Sequence, residues 1–162
     1  HDFNELLSAI TEVLRSHDHV LVEEYVRGRE VTLGLIENFR GENHYFPLPS
    51  EIYPNAEGGR VKNKYPILDA ITRRNGDYVV TNPRDLKKEV KVMRDFMIQA
   101  KDKLNIKQYF TADFIVSPFG VYFLEIDALP ALTEEALWQK KLEGVGSNLT
   151  EFLDHIISES LK

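Results

Sequence analysis

The chain has 162 residues, of which 43% are hydrophobic and 28% are charged, so it can bury one sizeable core or two small lobes. Its net charge of -6 and pI near 5.4 argue against nucleic acid as the main partner, because phosphate recognition draws on a basic surface. No apolar run approaches the roughly 20 residues that cross a bilayer, and the absence of cysteine excludes disulfides and thiolate metal sites. These features predict a cytoplasmic protein without a nucleic-acid or membrane partner.

The first third of the sequence predicts a helix followed by antiparallel strands. Asp2 and Glu5 form a capping-box pattern in front of an amphipathic segment, which predicts a helix over residues 3–15. Three strands are then predicted, over residues 20–25, 30–36 and 44–47. The first two are expected to form a hairpin around the Arg-Gly-Arg turn between them.

A long stretch without clear periodicity covers residues 53–82 and predicts a lid-like loop, because loops of this length inside compact domains are often functional. Gly58 and Gly59 allow a close backbone approach to a ligand. Three basic side chains follow that can reach phosphate oxygens: Arg60, Lys62 and Lys64. The Walker A pattern is missing, and a solvated flexible loop explains the same composition.

The second half of the chain predicts three helices. Asn82 as N-cap and Pro83 at the first helical position predict a helix over residues 84–104. The other two are predicted over residues 134–142 and 149–161, the latter capped by Ser147 or Asn148.

Three carboxylates gather on one face of a predicted β-hairpin whose turn covers residues 117–120. A three-residue loop there would place Asp113 opposite Glu125 and Thr111 opposite Asp127. Acids this close repel one another, and a divalent cation with hard oxygen preference relieves the repulsion. A solvated polar face on an amphipathic hairpin is the alternative. The other face would be apolar and packed against helices, with Phe110, Ala112, Phe114, Val116, Tyr122, Leu124 and Ile126.

A second candidate site surrounds the first predicted turn, where Glu23 and Glu30 flank Tyr25 and Val26. Adenine needs an apolar slot with a backbone N–H and C=O at its edge, and ribose hydroxyls need a carboxylate. A salt-bridged hairpin is the more common structure for this pattern.

Three stretches in chain order resemble the motifs of the ATP-grasp ligases, most closely the D-alanine-D-alanine ligase family: VLVEEYVRGREVTLGLI, EIYPNAEGGRVKNKY and ADFIVSPFGVYFLEIDALPALTEEAL. The resemblance covers nearly the whole chain. It implies an α+β fold of ATP-grasp type, with antiparallel sheets and packed helices in two lobes. Residues 1–52 would be part of the central subdomain, residues 53–82 a lid, and residues 83–162 a C-terminal lobe with the metal-binding hairpin.

The resemblance also implies ATP and Mg²⁺ (or Mn²⁺) as cofactors, with a small carboxylate and an amine as substrates. ATP would phosphorylate the carboxylate and the amine would attack the acyl phosphate, as in peptidoglycan precursor synthesis. The implied nucleotide residues are Glu23, Tyr25, Val26, Glu30 and Lys64. The implied metal residues are Asp113, Glu125 and Asp127. Lys64, Tyr65 and Thr111 take the positions of catalytic residues.

Four positions depart from the family's pattern. Thr111 stands where the family has Arg, and a neutral hydroxyl supplies no bidentate charge. Asp127 replaces an Asn metal ligand and adds a negative charge. Ala131 replaces a Gly, and Ala136 replaces a Ser close to the substrate carboxylate. All four lie on the acyl and amine side of the implied site.

The resemblance covers only the second half of a complete ligase of this family. We therefore expect a missing N-terminal domain or a homo-oligomeric partner, and an isolated chain that is inactive as a ligase. The alternative function is that of a catalytically degenerate ATP-grasp module for nucleotide binding or protein interaction.

Overall fold

The computed structural model describes residues 2–54, 78–133 and 136–162, which contain four helices and six strands. The helices are α1 (Phe3–Val13), α2 (Lys87–Leu104), α3 (Leu137–Glu143) and α4 (Leu149–Ser160). The strands are β1 (Arg29–Phe39), β2 (Glu42–Tyr45), β3 (Ser50–Pro54), β4 (Tyr78–Thr81), β5 (Tyr109–Ser117) and β6 (Gly120–Asp127). The predicted α+β class is confirmed.

The six described strands form one antiparallel sheet in the order β4-β3-β1-β5-β6, and β2 pairs with the far end of β1. Strand β1 is central, since residues 29–36 pair with residues 109–116 of β5 and residues 30–32 pair with β3 on the other side. Strands that the sequence assigns to residues 1–52 and to residues 83–162 therefore share one sheet instead of forming two. The boundaries of the predicted units stay a prediction.

The sheet buries a separate hydrophobic cluster on each face, because side chains of a strand alternate between its two sides. On one face, strands β1 and β5 pack against α2 through Val31, Leu33, Leu35, Leu86, Met93, Met97, Phe110, Ala112, Phe114 and Val116. On the other face, α3 and α4 pack through Ile36, Phe39, Trp138, Leu142 and Phe152. Thr32 and Gly34 of β1 consequently face α3, on the side opposite α2.

The termini of two helices follow the predicted capping chemistry. The side chain of Asp2 accepts from the backbone N–H groups of Asn4 and Glu5 at 2.8 and 3.0 Å, and Glu5 accepts in return from the N–H of Asp2. At α4, Asn148 accepts from the N–H of Glu151 at 2.9 Å. No described helix is both long and apolar enough to cross a membrane.

The strand predicted at residues 20–25 is wrong. These residues take no regular secondary structure, and Leu21 and Val22 are 78% and 53% exposed. A run of residues with high β-propensity becomes a strand only where a neighbouring strand forms hydrogen bonds with its N–H and C=O groups. No described strand pairs with this segment. The predicted hairpin partner, β1, pairs with β2, β3 and β5 instead.

The bounds of most elements differ from the predicted ones by a few residues, and the sequence predicts no strand at β3 or β4. Helix α2 begins at Lys87 with Leu86 as N-cap, so Asn82 does not cap it. Asp85, just before the helix, is bound by Arg29 of β1, an ion pair that ties this segment to the sheet. Residues 53–54 and 78–81, expected in the lid, belong to β3 and β4, which pair with each other. Residues 55–77 of the predicted lid lie outside the described residues.

We predict that Gly34→Ala destabilises the protein, because Gly34 lies directly beneath Trp138 of α3. A Cβ at residue 34 would lie 2.8 Å from Trp138 Cζ3, so helix and sheet must separate. Overpacking of this kind lowers the free energy of unfolding by about 1–3 kcal/mol, measured by urea denaturation. The comparison variant is Gly144→Ala, where φ is -59° and the nearest atoms are the carbonyl oxygens of Lys140 and Lys141 at 3.3 and 3.5 Å, a tight contact but a less severe one. It should destabilise the protein less than Gly34→Ala does, and equal effects would contradict the steric explanation.

Candidate functional site

The hairpin β5–β6 has the predicted pairing at its acids, although its turn differs from the predicted one. Ser117 lies opposite Gly120, so the loop holds two residues and the predicted three-residue loop is wrong. A β-bulge then accommodates one extra residue, Leu124, which restores the pairing of Asp113 with Glu125. The pairing of the acids is therefore confirmed.

The same bulge changes which residues of β6 face helix α2. Phe123 lies opposite the core residue Phe114, whereas Tyr122 lies opposite Ile115 and Leu124 is the extra residue of the bulge. The expectation that Tyr122 and Leu124 belong to the apolar face is therefore wrong. Val121 packs against the core of this face in their place, and the ring of Phe123 lies 4.7 Å from that of Phe96. The extra residue inverts the alternation of side chains between the turn and the acids.

The acid-bearing face of the sheet lines a cavity of about 250 Å³ beside the start of α3. Its lining residues are Thr32, Ile52, Thr111, Asp113, Glu125, Asp127, Pro130, Ala131, Ala136, Leu137 and Trp138. The structure thus brings together Thr111 and all three predicted metal residues. Asp113 is half-buried, whereas Glu125 and Asp127 are exposed at the rim.

Asp113 is held by a threonine that the sequence reasoning missed. Thr32 of β1 lies opposite Asp113 in the register, and its Oγ1 donates to Asp113 Oδ1 at 2.6 Å. Thr32 is 3% exposed, and a hydrogen bond from such a buried hydroxyl to a carboxylate is worth about 1.5–3 kcal/mol. One oxygen of Asp113 is therefore fixed, which orients the other.

Lys141 of α3 is the second site feature that sequence reasoning missed. Its side chain is almost completely buried, at 2% exposure, and its Nζ donates to the backbone oxygen of Thr32 at 2.7 Å and to Ser50 Oγ at 2.9 Å. Burial lowers the pKa of Lys141 to about 7, while the negative charge of Asp113 acts in the opposite direction. A buried amino group is thus bound to Thr32, the residue whose hydroxyl holds Asp113.

Asp127 is partly engaged with its own chain. Its Oδ1 accepts from the N–H of Leu129 at 2.9 Å, which forms a tight turn at the end of β6. Together with burial, which has the larger effect, the negative charge of Asp127 raises the pKa of Tyr109. Its carboxylate is therefore close enough to the sheet to add to the negative potential of the cavity.

The donor set fits a divalent cation that shares its ligands with phosphate. Within residues 2–54, 78–133 and 136–162, no group of three or more Asp, Glu, His or Cys side chains is arranged to hold a metal alone. Asp113 and Glu125 are directly opposed on neighbouring antiparallel strands. The Cβ atoms of residues opposed in this way lie about 4.5–5.5 Å apart. Mg²⁺ typically takes one or two carboxylates and completes its shell with water and phosphate oxygens. The roles of Asp113, Glu125 and Asp127 as ligands stay a prediction.

None of the predicted nucleotide residues in the described part of the chain lines this cavity. Glu30 lies on β1 two residues before Thr32, on the same face, and pairs with Ile52 of the cavity wall. Glu23, Tyr25 and Val26 belong to the irregular segment before β1. Lys64 and Tyr65 lie outside the described residues.

The sheet with helices on both faces and opposed acids at its edge hairpin has the ATP-grasp fold. The chain belongs to the family described as "D-ala D-ala ligase C-terminus", whose model matches residues 1–158. The D-alanine--D-alanine ligase of Leptospira biflexa is 28% identical over 160 residues, which cover 97% of this chain and 44% of the relative. That of Lacticaseibacillus casei is 28% identical over 163 residues, covering 100% and 42%. The chain spans less than half the length of these relatives.

Solved structures confirm the fold. The D-alanine--D-alanine ligase from Bacillus anthracis complexed with ATP superimposes with a TM-score of 0.69 at 22% identity, covering 99% of this chain and 49% of that one. D-alanyl-alanine synthetase A from Vibrio cholerae gives a TM-score of 0.72 at 20% identity, covering 98% and 46%. The VanG D-Ala:D-Ser ligase from Enterococcus faecalis gives 0.69 at 19% identity, covering 97% and 43%.

We predict that the stability of the protein increases with pH through Lys141. The pKa of this lysine is about 7 in the folded chain against an ordinary value of 10.5, so between these values the unfolded chain binds more protons. Relative to Lys141→Met, the wild-type free energy of unfolding should rise by roughly 2–5 kcal/mol between pH 7 and pH 10, measured by urea denaturation. Lys140→Met, which removes an exposed neighbouring charge, should show no such difference. Parallel curves for wild type and Lys141→Met would contradict the buried-amine explanation.

Proposed function

We propose that this chain is the ATP- and metal-binding C-terminal portion of a D-alanine-D-alanine ligase-like carboxylate-amine ligase. The observation that carries the proposal is the opposed pair Asp113 and Glu125, with Asp113 oriented by Thr32, on a sheet of this family. The cofactors would be ATP and Mg²⁺ (or Mn²⁺). The substrates would be a small carboxylate and an amine, in the cytoplasm, where peptidoglycan precursors are made.

Asp113 and Glu125 would hold the cation, with Asp127 beside them, and the cation would supply positive charge against the nucleotide phosphates. The chain's own contribution is orientation and shielding. Thr32 fixes one oxygen of Asp113, and Trp138, which is 2% exposed, forms an apolar wall of the cavity. Phosphoryl transfer depends on such positioning and placed charge more than on covalent chemistry by the protein.

In the proposed reaction, the substrate carboxylate attacks the terminal phosphorus of ATP and releases ADP. The amine then attacks the acyl phosphate, and phosphate leaves as the new C–N bond forms. Glu30 would accept a ribose hydroxyl, and its position on the same face of β1 as Thr32 supports this role. The remaining nucleotide residues, Glu23, Tyr25, Val26, Lys64 and Tyr65, belong to the proposal by resemblance alone.

A second candidate function is a nucleotide-binding module without ligase chemistry. The observation that favours it is the pair Thr111 and Asp127, which are opposite each other and line the same cavity. The family pattern has Arg and Asn at these positions, so a positive charge is lost and a negative charge gained. In the full-length protein, a large gain in turnover for Thr111→Arg favours a degenerate enzyme, whereas unchanged turnover favours a pure binding module.

We predict that the chain binds ATP in a manner that requires Mg²⁺ and Asp113. Asp113→Asn keeps the shape of the side chain but removes its charge, so the affinity for Mg-ATP in calorimetry should fall by about tenfold or more. Asp95→Asn is the matched control, because Asp95 is an exposed acid on α2, and its affinity should equal that of the wild type. A folded wild-type chain that binds no Mg-ATP would exclude both candidate functions.

We also predict that the 162-residue chain alone shows no ligase turnover. It spans 44% of the Leptospira biflexa ligase, and the acyl side of its site carries Thr111, Ala131 and Ala136 in place of the family's Arg, Gly and Ser. Phosphate release from ATP should therefore not increase on addition of D-alanine. D-alanine-dependent release by the purified chain would overturn this expectation.

A further inference from the structure

The burial of the Lys141 amino group is not explained by its immediate hydrogen-bond partners. An ammonium group taken out of water is costly unless an opposite charge pairs with it. The two hydrogen-bond acceptors of Lys141, the backbone oxygen of Thr32 and the hydroxyl of Ser50, are both neutral. Among the described residues, the charged group that acts on Lys141 is Asp113, whose field favours the protonated form.

The path of the side chain leads to the acid site. Lys141 begins on α3 and passes over Gly34, where its Cδ lies 3.7 Å from the position of a Cβ, alongside the ring of Trp138. It ends at Thr32, whose backbone oxygen accepts from Nζ and whose hydroxyl donates to Asp113. A single residue of β1 therefore connects the amino group to the predicted metal ligand.

The link from Lys141 through Thr32 to Asp113 matters because of the charges around the cavity. The lining carries three acids, Asp113, Glu125 and Asp127, and none of its described residues is basic. Thr111 supplies no positive charge, so Lys141 is positioned to balance the acids from inside the fold. A free divalent cation is repelled by Lys141, whereas a metal-nucleotide complex, which has a net negative charge, is attracted.

We propose that Lys141 is a positioning residue and, as an ammonium group, the positive charge of this site: it holds Asp113 through Thr32, and it favours a divalent cation bound to nucleotide phosphate over the free cation. The role extends the nucleotide site proposed above and rests on it. Because of this charge, Asp113 and Glu125 would bind a divalent cation in complex with a nucleotide more tightly than the free cation.

The test measures two affinities of the whole chain at pH 6, where the ammonium form of Lys141 dominates. Free Mn²⁺ binding is followed by electron paramagnetic resonance, and Mn-ATP binding by calorimetry. In Lys141→Met, the affinity for free Mn²⁺ should rise by about three- to tenfold and the affinity for Mn-ATP should fall by a similar factor. Changes of opposite sign are diagnostic, because loosened packing lowers both affinities.

Two further variants separate charge from hydrogen bonding and from general charge effects. Lys141→Gln keeps N–H donors near Thr32 but carries no charge, so it should behave like Lys141→Met, and it serves as the test if the methionine variant does not fold. Lys140→Met removes one exposed charge from the same helix and should leave both affinities within about twofold.

The proposal fails if both affinities fall together, if free Mn²⁺ binding is unchanged, or if Lys141→Gln restores wild-type affinities. A wild-type chain that binds free Mn²⁺ but no Mn-ATP refutes the proposed function. In that case, a higher affinity of Lys141→Met for free Mn²⁺ would still support the electrostatic effect of Lys141, and an unchanged affinity would refute it. A wild-type chain that binds neither overturns both.

Discussion

The pairing of β1 with β5 is the contact on which both the core and the site depend. Residues 29–36 and 109–116 are joined in one uninterrupted antiparallel register. This register brings Val31, Leu33 and Leu35 alongside the apolar residues of β5 on the face that packs against α2. It also places Thr32 directly opposite Asp113 on the other face. A shift of one residue would exchange the two faces, so the burial of the core enforces the geometry of the acids.

The face that carries the acids is closed by α3, and the way this helix packs explains why the site is polar but well ordered. Gly34 lets Trp138 lie close to the sheet, and Lys141 then reaches Thr32 across the same gap. Its amino group donates hydrogen bonds to β1 and β3, whereas among the described residues the charge that acts on it is that of Asp113. Helix packing, strand register and site electrostatics are consequently linked through one buried side chain.

The sequence was sufficient to predict features that depend on local chemistry. The capping box at Asp2 and the family resemblance are confirmed by the structure and by the family match. The opposition of Asp113 and Glu125 was predicted correctly from an incorrect loop, because the β-bulge at Leu124 compensates for the shorter turn. The loop is one residue shorter than predicted and β6 contains one extra residue, so the two deviations cancel. The periodicity of hydrophobic residues in the sequence reveals neither of them.

The features that could not be predicted arise from contacts between distant segments. Thr32 and Lys141 are 109 positions apart. Thr32 lies in a stretch that resembles the family's motifs, but the resemblance gives a role to neither residue. A lysine beside exposed Lys140 looks like a solvated helix surface until α3 is packed on the sheet. The segment at residues 20–25 shows the converse, since its β-forming residues lack a described strand to pair with.

The departures from the family pattern have a physical connection with this buried charge. Thr111 stands where the resemblance implies Arg, and none of the described residues of the cavity wall is basic. Asp127 stands where the resemblance implies Asn and adds an acid to the rim. Asp127 is steadied by the N–H of Leu129, and Asp113 is within the field of Lys141. Among the described residues, positive charge is thus present at the inner end of the site and absent from its rim. Under the proposed function, such a distribution would suit retention of a metal-bound phosphate better than stabilisation of an acyl intermediate, because Thr111 offers only a hydroxyl.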